Sequence, residues 1–114
     1  HEMTAASGVG ARLSFRQVPI MEEVTELARQ GVVPGGSKRN LAHVEEFVAF
    51  DAAMDPVQRL MLADAQTSGG LLLAVPETRA ATLVRALQDR GVPVVAEIGE
   101  IDDDKSGRIK VALP

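Results

Sequence analysis

The chain contains one clear alternating stretch, Val9-Gly10-Ala11-Arg12-Leu13-Ser14-Phe15-Arg16. A period of two over eight residues predicts a β-strand with one face in water. Residues 21–30 then change to helical spacing, with apolar side chains on one face and glutamates opposite. Gly31 predicts the end of that helix. A strand followed by an amphipathic helix indicates a sheet that is covered by helices.

Outward from this pair, the remaining sequence predicts further helices and strands. The predictions are a helix capped by Ser37, a short strand over 47–50, a helix that begins at Asp55-Pro56, a central strand over 71–75, a helix over 77–90, and strands over 94–98 and 109–113 joined as a hairpin by residues 102–107. This order predicts an α/β (α+β) domain with a mixed β-sheet packed by helices, for which a ferredoxin-like core is one candidate.

Composition bounds the class of protein. The 114 residues are enough for one domain, and 46% hydrophobic with 25% charged residues is ordinary for a globular chain. A net charge of −4 and only three aromatic residues argue against binding to nucleic acid. The absence of cysteine excludes disulfides and zinc–thiolate sites. No apolar run is long enough to span a membrane. With no signal peptide in the sequence, we expect a cytoplasmic protein.

The first stretch that can carry chemistry is Gly31-Val32-Val33-Pro34-Gly35-Gly36-Ser37-Lys38. It is not a phosphate-binding P-loop, because lysine follows serine and the stretch follows a helix. Two glycines before a helix still leave backbone N–H groups open, and the helix dipole favours an anion there. Lys38 and Arg39 add positive charge. The alternative is a glycine turn with a solvated basic pair.

The second stretch is Asp64-Ala65-Gln66-Thr67-Ser68-Gly69-Gly70, directly before the most apolar run of the chain. Loops held on a rigid scaffold often carry sites. The two glycines would let a ligand or a second backbone approach closely. The alternative is a tight turn whose threonine and serine hydroxyls bond to the backbone of the loop itself. Local sequence leaves both interpretations open.

Other polar residues favour ordinary roles. The acidic run Asp102-Asp103-Asp104 lacks the spacing of an EF-hand and is typical of a hairpin tip. His1 and His43 have no nearby His or Cys partner in the sequence, so no metal site is predicted. Asp51 and Asp55 could form a carboxylate pair, although helix capping already explains Asp55.

Two motifs carry a resemblance to a known family. Residues 34–40, Pro-Gly-Gly-Ser-Lys-Arg-Asn, resemble the Pro-Gly-Gly-Thr-x-Arg-Asn motif of selenophosphate synthetases, also called selenide, water dikinases. Residues 64–72, Asp-Ala-Gln-Thr-Ser-Gly-Gly-Leu-Leu, resemble the Asp-Pro-Gln-Thr-Ser-Gly-Gly-Leu-Leu of the same family. Glu2-Met3 and Gly99-Glu100 also fit the family. The resemblance runs from His1 to about Val111 and is to the C-terminal domain.

The resemblance implies a fold like the C-terminal domain of aminoimidazole ribonucleotide synthetase and a much longer intact enzyme. That enzyme would convert ATP, selenide and water into selenophosphate, phosphate and AMP with Mg²⁺. Its N-terminal domain, the partner of this one, would carry the reactive Cys or selenocysteine, the catalytic lysine, the metal-binding aspartates and most of the ATP site. We expect no catalytic residue, metal or bound cofactor in this chain alone, a homodimer for the full-length protein, and a monomer for this chain.

Residues from both motifs would line one wall of a cleft shared with the N-terminal domain. They are Gly35, Gly36, Ser37, Arg39, Asn40, Gln66, Thr67, Ser68, Gly69 and Gly70. Arg39 would be either an anion contact or a salt bridge between elements. Two positions depart from the family pattern: Ser37 replaces threonine and keeps the hydroxyl, whereas Ala65 replaces proline, restores an N–H and predicts a slightly looser turn.

Two other hypotheses for the function of this chain stay open. The chain could belong to another ATP-using enzyme of the same superfamily, of the thiamine-monophosphate kinase, hydrogenase maturation or purine synthetase type. It could also be a non-catalytic domain that binds a partner protein. The string Gln-Thr-Ser-Gly-Gly at residues 66–70 favours selenophosphate synthetase.

Overall fold

A four-stranded mixed sheet lies at the centre of the computed structural model, which describes all residues from His1 to Pro114. The elements are α1 (Glu2–Ser7), β1 (Gly10–Ser14), a 3₁₀ turn (Phe15–Gln17), α2 (Val24–Arg29), α3 (Gly35–Val44), β2 (Val48–Phe50), α4 (Pro56–Leu62), α5 (Glu77–Asp89), β3 (Gly99–Asp102) and β4 (Ile109–Ala112). The strand order is β2-β4-β1-β3. β1 pairs parallel with β4 and antiparallel with β3, and β2 pairs parallel with β4. The predicted mixed sheet with helices is confirmed.

The alternation in β1 separates a buried face of the sheet from an exposed one. Ala11 on β1 and Val111 on the neighbouring strand β4, where it pairs with Leu13, are buried, 5% and 4% exposed. Arg12 points to the opposite face, where its guanidinium lies 3.1 Å from a carboxylate oxygen of Glu100 and 3.3 Å from one of Asp102. The predicted strand with one wet face is therefore confirmed.

Several residues predicted to begin or end helices do so in the structure. Asp55 caps α4: its carboxylate accepts the Gln58 N–H at 2.8 Å, the Gln58 side chain accepts the Asp55 N–H at 2.9 Å, and Pro56 takes the first helical position. Gly31 and Gly91 have φ of 82° and 74° after α2 and α5, a left-handed conformation that glycine adopts without a steric penalty. The helix predicted over 77–90 is α5, whereas α2 begins three residues later than predicted.

Two predicted strands are not formed. Residues 71–75 make no strand pairing, and Leu71 is 90% exposed. A strand needs a neighbour that completes its hydrogen-bond ladder, and none of the four strands lies against this run. Residues 94–98 likewise form no strand, because β3 begins only at Gly99. One hydrogen bond joins this segment to β1, from the Ser14 N–H to the Ile98 carbonyl at 3.0 Å.

The predicted hairpin between the last two strands is also wrong, because β1 lies between β3 and β4. The connecting loop crosses the start of β1, where the Ala11 N–H donates to the Arg108 carbonyl at 3.1 Å. Gly10 is buried at this crossing, and a Cβ there would lie 2.8 Å from the Asp104 Cβ. A side chain at position 10 would push the loop away, so glycine permits the crossover.

Helix α4 packs against both α2 and α3. The contact between α3 and α4 brings the start of α3 to the segment that follows α4, and these are the two motifs found in the sequence. None of the five α-helices combines the length and the apolar character needed to cross a membrane.

Candidate functional site

The first motif forms the N-terminal turn of α3. Pro34 is the N-cap residue, with φ −58° and ψ 142°, and the helix starts at Gly35. Gly35 and Gly36 donate no backbone hydrogen bond, as expected of the first helical positions. The prediction that Ser37 caps this helix is wrong. The helix begins three residues earlier than that prediction requires, because Pro34 with its fixed φ takes the N-cap position, and Ser37 therefore lies inside the first turn.

Ser37 instead connects the two motifs. Its side chain is fully buried. The hydroxyl donates to Oδ1 of Asp64 at 2.6 Å and accepts the backbone N–H of Ala65 at 3.2 Å. Both the donor and one acceptor position of the hydroxyl are therefore used within the chain, and Ser37 does not face solvent.

Two further contacts join the same segments. The Asn40 side-chain amide, one turn along α3, donates to the Ala63 carbonyl at 3.2 Å. A Cβ on Gly36 would lie 3.0 Å from the Ala65 Cβ, so that only glycine fits at this closeness without displacing its neighbour. We refer to Ser37, Asn40, Asp64 and Ala65 as the clasp. The structure brings together the first motif and the beginning of the second.

Asp64 is the residue that sequence reasoning missed. Its Oδ1 accepts from Ser37, and its Oδ2 accepts from the side-chain amide of Gln66. Its place as the first residue of the second motif was the available signal. No group of three or more His, Cys, Asp or Glu side chains is arranged to hold a metal ion. Both Asp64 oxygens are hydrogen-bonded within the chain, and no preformed set of ligands for Mg²⁺ accompanies them.

The second motif continues as an exposed loop over residues 66–70. Its backbone makes no hydrogen bond, and the hydroxyls of Thr67 and Ser68 make none either. The tight turn closed by its own hydroxyls is therefore not formed. Gly69 packs against Gln66, and Gly70 has open space around it. The loop presents free N–H and O–H donors beside the clasp.

Arg39 lies on the exposed side of the same helical turn. Its guanidinium reaches back beside Gly35, with Nη1 3.4 Å from the position of a Cβ there. The ion pairs of the chain involve Arg12 and Lys110, so Arg39 forms no salt bridge between elements. The first turn of α3 holds no acidic residue. Unpaired positive charge and open backbone N–H groups thus share one end of the helix.

The two departures from the family pattern touch each other, because Ser37 accepts its hydrogen bond from Ala65. Proline at position 65 would have no N–H to donate. The restored N–H holds the loop to the helix, which does not support the slightly looser turn that the sequence suggested.

The other polar clusters lie outside this site. The Ser106 hydroxyl and backbone N–H, both bonded to Asp104, lower the pKa of that carboxyl in the loop between β3 and β4. His1 stacks on Phe47 with ring centres 3.9 Å apart, and His43 meets the same ring edge-on at 5.8 Å. These histidines pack against an aromatic ring.

The geometry defines an α+β domain in which hydrogen bonds join the glycine-rich start of a helix to the beginning of a glycine-rich loop. The chain belongs to the family of the AIR synthase related protein, C-terminal domain, whose sequence profile matches residues 1–112. The resemblance first seen in the two motifs is confirmed.

Proteins similar in sequence to this chain include several selenide, water dikinases. The chain is 44% identical to that of Myxococcus xanthus over 106 residues, which cover 93% of this chain and 30% of the relative. It is 41% identical to that of Pelobacter propionicus over 110 residues (96% and 32%) and 42% identical to that of Photorhabdus laumondii over 114 residues (98% and 31%). The chain therefore spans less than a third of the length of these relatives.

Proposed function

We propose that this chain is the C-terminal domain of a selenophosphate synthetase and forms one wall of the active-site cleft. The observation that carries the proposal is the match of nearly the whole chain to part of several selenide, water dikinases. The intact enzyme would make selenophosphate, phosphate and AMP from ATP, selenide and water. This chain alone would be inactive, and a cytoplasmic location stays a prediction from the sequence.

The first turn of α3 supports a role in binding phosphate groups. The open N–H groups of Gly35 and Gly36, at the positive end of α3, are suited to an anion. Arg39 is free to add a charged hydrogen bond there. Phosphoryl transfer depends mainly on positioning and on neutralising developing charge. We assign these three residues to the phosphate end of the cleft, while Ser37 and Asn40 hold the wall together.

The loop over residues 66–70 would face the same ligand or the opposite wall. Its backbone N–H groups, the Thr67 and Ser68 hydroxyls and the Gln66 amide are the donors available on that side. ATP would be held mostly by the N-terminal domain, and Mg²⁺ by that domain alone, since no side-chain cluster of this chain fits a metal ion.

The exposed surface supports a partner domain. The accessible surface is 8217 Å², whereas a compact monomer of 12.1 kDa exposes about 6,000 Å². Leu71, Leu72 and Leu73 are each more than half exposed, and α5 buries none of its residues. Three consecutive exposed leucines and a helix with no buried residue are typical of a surface that another domain covers. We assign it to the N-terminal domain of the same protein, with the full-length enzyme a homodimer.

A chimera tests the proposal. This chain would replace the matching portion of the Myxococcus xanthus relative, and AMP would be measured after incubation with ATP and Mg²⁺, with and without selenide. We expect AMP formation that requires selenide. The parent enzyme without its C-terminal portion is the control and should be inactive.

Other outcomes of this assay point elsewhere. A folded chimera that forms ADP independently of selenide would indicate another ATP-using enzyme of the superfamily. A folded chimera that consumes no ATP would contradict the enzymatic role and favour a partner-binding domain.

A further inference from the structure

The hydroxyl of Ser37 is a junction between two segments that are 27 residues apart in the chain. It is fully buried, and its two hydrogen bonds run to the side chain of Asp64 and to the backbone of Ala65. A buried hydroxyl that loses such partners leaves unsatisfied groups behind, which is more costly than the mean value of a hydrogen bond suggests. The pairing is therefore specific for a hydroxyl at this position.

Asp64 extends the junction toward the exposed loop. One carboxylate oxygen is held by Ser37, and the other holds the Gln66 side chain. Beyond Gln66, residues 67–70 have no hydrogen bond to the rest of the chain. The polar attachments of the loop are thus confined to the clasp and Gln66, and they all lie at its N-terminal end.

We propose that Ser37 and Asp64 are positioning residues that hold the loop over residues 66–70 beside the first turn of α3 before any ligand binds. The identity of the ligand, the phosphate groups of ATP, rests on the proposed function. A loop that is already in place costs less to order on binding. Loss of the clasp would lower the fraction of molecules that can bind, and the apparent affinity would fall with it.

This role differs measurably from a merely structural one. If Ser37 only stabilised the fold, its loss would reduce the amount of active protein and therefore the apparent kcat, with KM unchanged. If it positions the loop, saturating ATP restores the competent arrangement. In that case KM for ATP rises while kcat changes little.

The first experiment uses this chain as it is. Amide hydrogen exchange, followed by NMR, would be compared among wild type, Ser37→Ala and Ser37→Thr. Exchange at the Ala65 amide should rise about tenfold in Ser37→Ala, because its one acceptor is removed. Amides of β1 and β4 should keep their rates, and Ser37→Thr should restore the protection of Ala65.

Equal Ala65 exchange in wild type and Ser37→Ala would overturn the proposal, as would an equal rise at Ala65 and in the sheet. If Ser37→Ala does not fold, Asp64→Ala takes its place. It removes both carboxylate acceptors, so that the Ser37 hydroxyl and the Gln66 amide both lose their partner and exchange at Ala65 should rise. Unchanged Ala65 exchange in that variant would equally overturn the proposal.

The second experiment uses the chimera described above. Ser37→Ala should raise KM for ATP about five- to tenfold with kcat within about twofold, and Ser37→Thr should return KM to the wild-type value. A lower kcat at unchanged KM would show a structural role only. If the wild-type chimera is inactive, the proposed function fails, while the exchange experiment still decides whether the clasp positions the loop.

Discussion

Replacing Arg39 by alanine is expected to lower selenide-dependent AMP formation by the chimera about 100- to 1,000-fold, the usual cost of removing a group that stabilises developing charge. The guanidinium is exposed, pairs with no carboxylate and lies beside Gly35. Its loss should therefore leave the thermal unfolding of the protein unchanged. Initial rates and melting curves on the same preparations measure both effects.

The matched control is Lys38→Ala. It removes the same charge from the adjacent exposed position of α3 but projects about 100° away around the helix. We expect activity within about twofold of wild type, as for most surface substitutions. Equal losses in the two variants would indicate a general effect of charge, and full activity of Arg39→Ala at matched stability would exclude Arg39 from the site.

Gly99→Ala is expected to destabilise the chain by about 2–3 kcal/mol, in the range of overpacked interiors, and to lower the melting temperature by roughly 10 °C. Gly99, at the start of β3, pairs with Leu13 of β1. A Cβ there would clash with the Arg12 carbonyl oxygen and lie 2.9 Å from the Leu13 Cα. Backbone atoms cannot give way as the end of a side chain can, so the β1–β3 pairing must shift.

Gly70→Ala is the matched control, because a Cβ at that position meets nothing within 4 Å and the residue lacks a positive φ. Circular dichroism melts of the two variants beside wild type would make the comparison. A Gly99→Ala variant that melts with wild type would contradict the close approach of the two strands.

Features of the fold that depend on only a few neighbouring residues could be predicted from the sequence. The Asp55-Pro56 start of α4, the glycine stops at Gly31 and Gly91, and the alternation of β1 all appear where the pattern placed them. In each case the cause lies in the local backbone: a capping carboxylate, a left-handed φ, or a side chain on one face of a strand.

Strand pairing, which depends on residues far apart in the chain, could not be predicted from the sequence. The apolar run over residues 71–75 has the composition of a central strand, but composition does not say which strand would pair with it. The hairpin predicted from the alternation over residues 94–98 and 109–113 fails because β1 lies between β3 and β4, and alternation within a strand does not identify its neighbours.

At the candidate site, too, local features could be predicted and contacts between distant residues could not. Local physics indicated open N–H groups ahead of α3 and left the glycine loop ambiguous, and the family resemblance linked the two motifs. The clasp itself was not predicted, because Ser37 had the features of an N-cap. Its true partner, Asp64, becomes a neighbour only through the packing of α3 on α4.

Calorimetric titration with ATP and Mg²⁺, on this chain and on the chimera, tests most directly whether the chain is one wall of a shared site. We predict no binding to the chain alone, a Kd weaker than about 1 mM, and clear binding to the chimera. Binding to the isolated chain with a Kd below about 10 μM would contradict the account. The phosphate site would then be complete within these 114 residues.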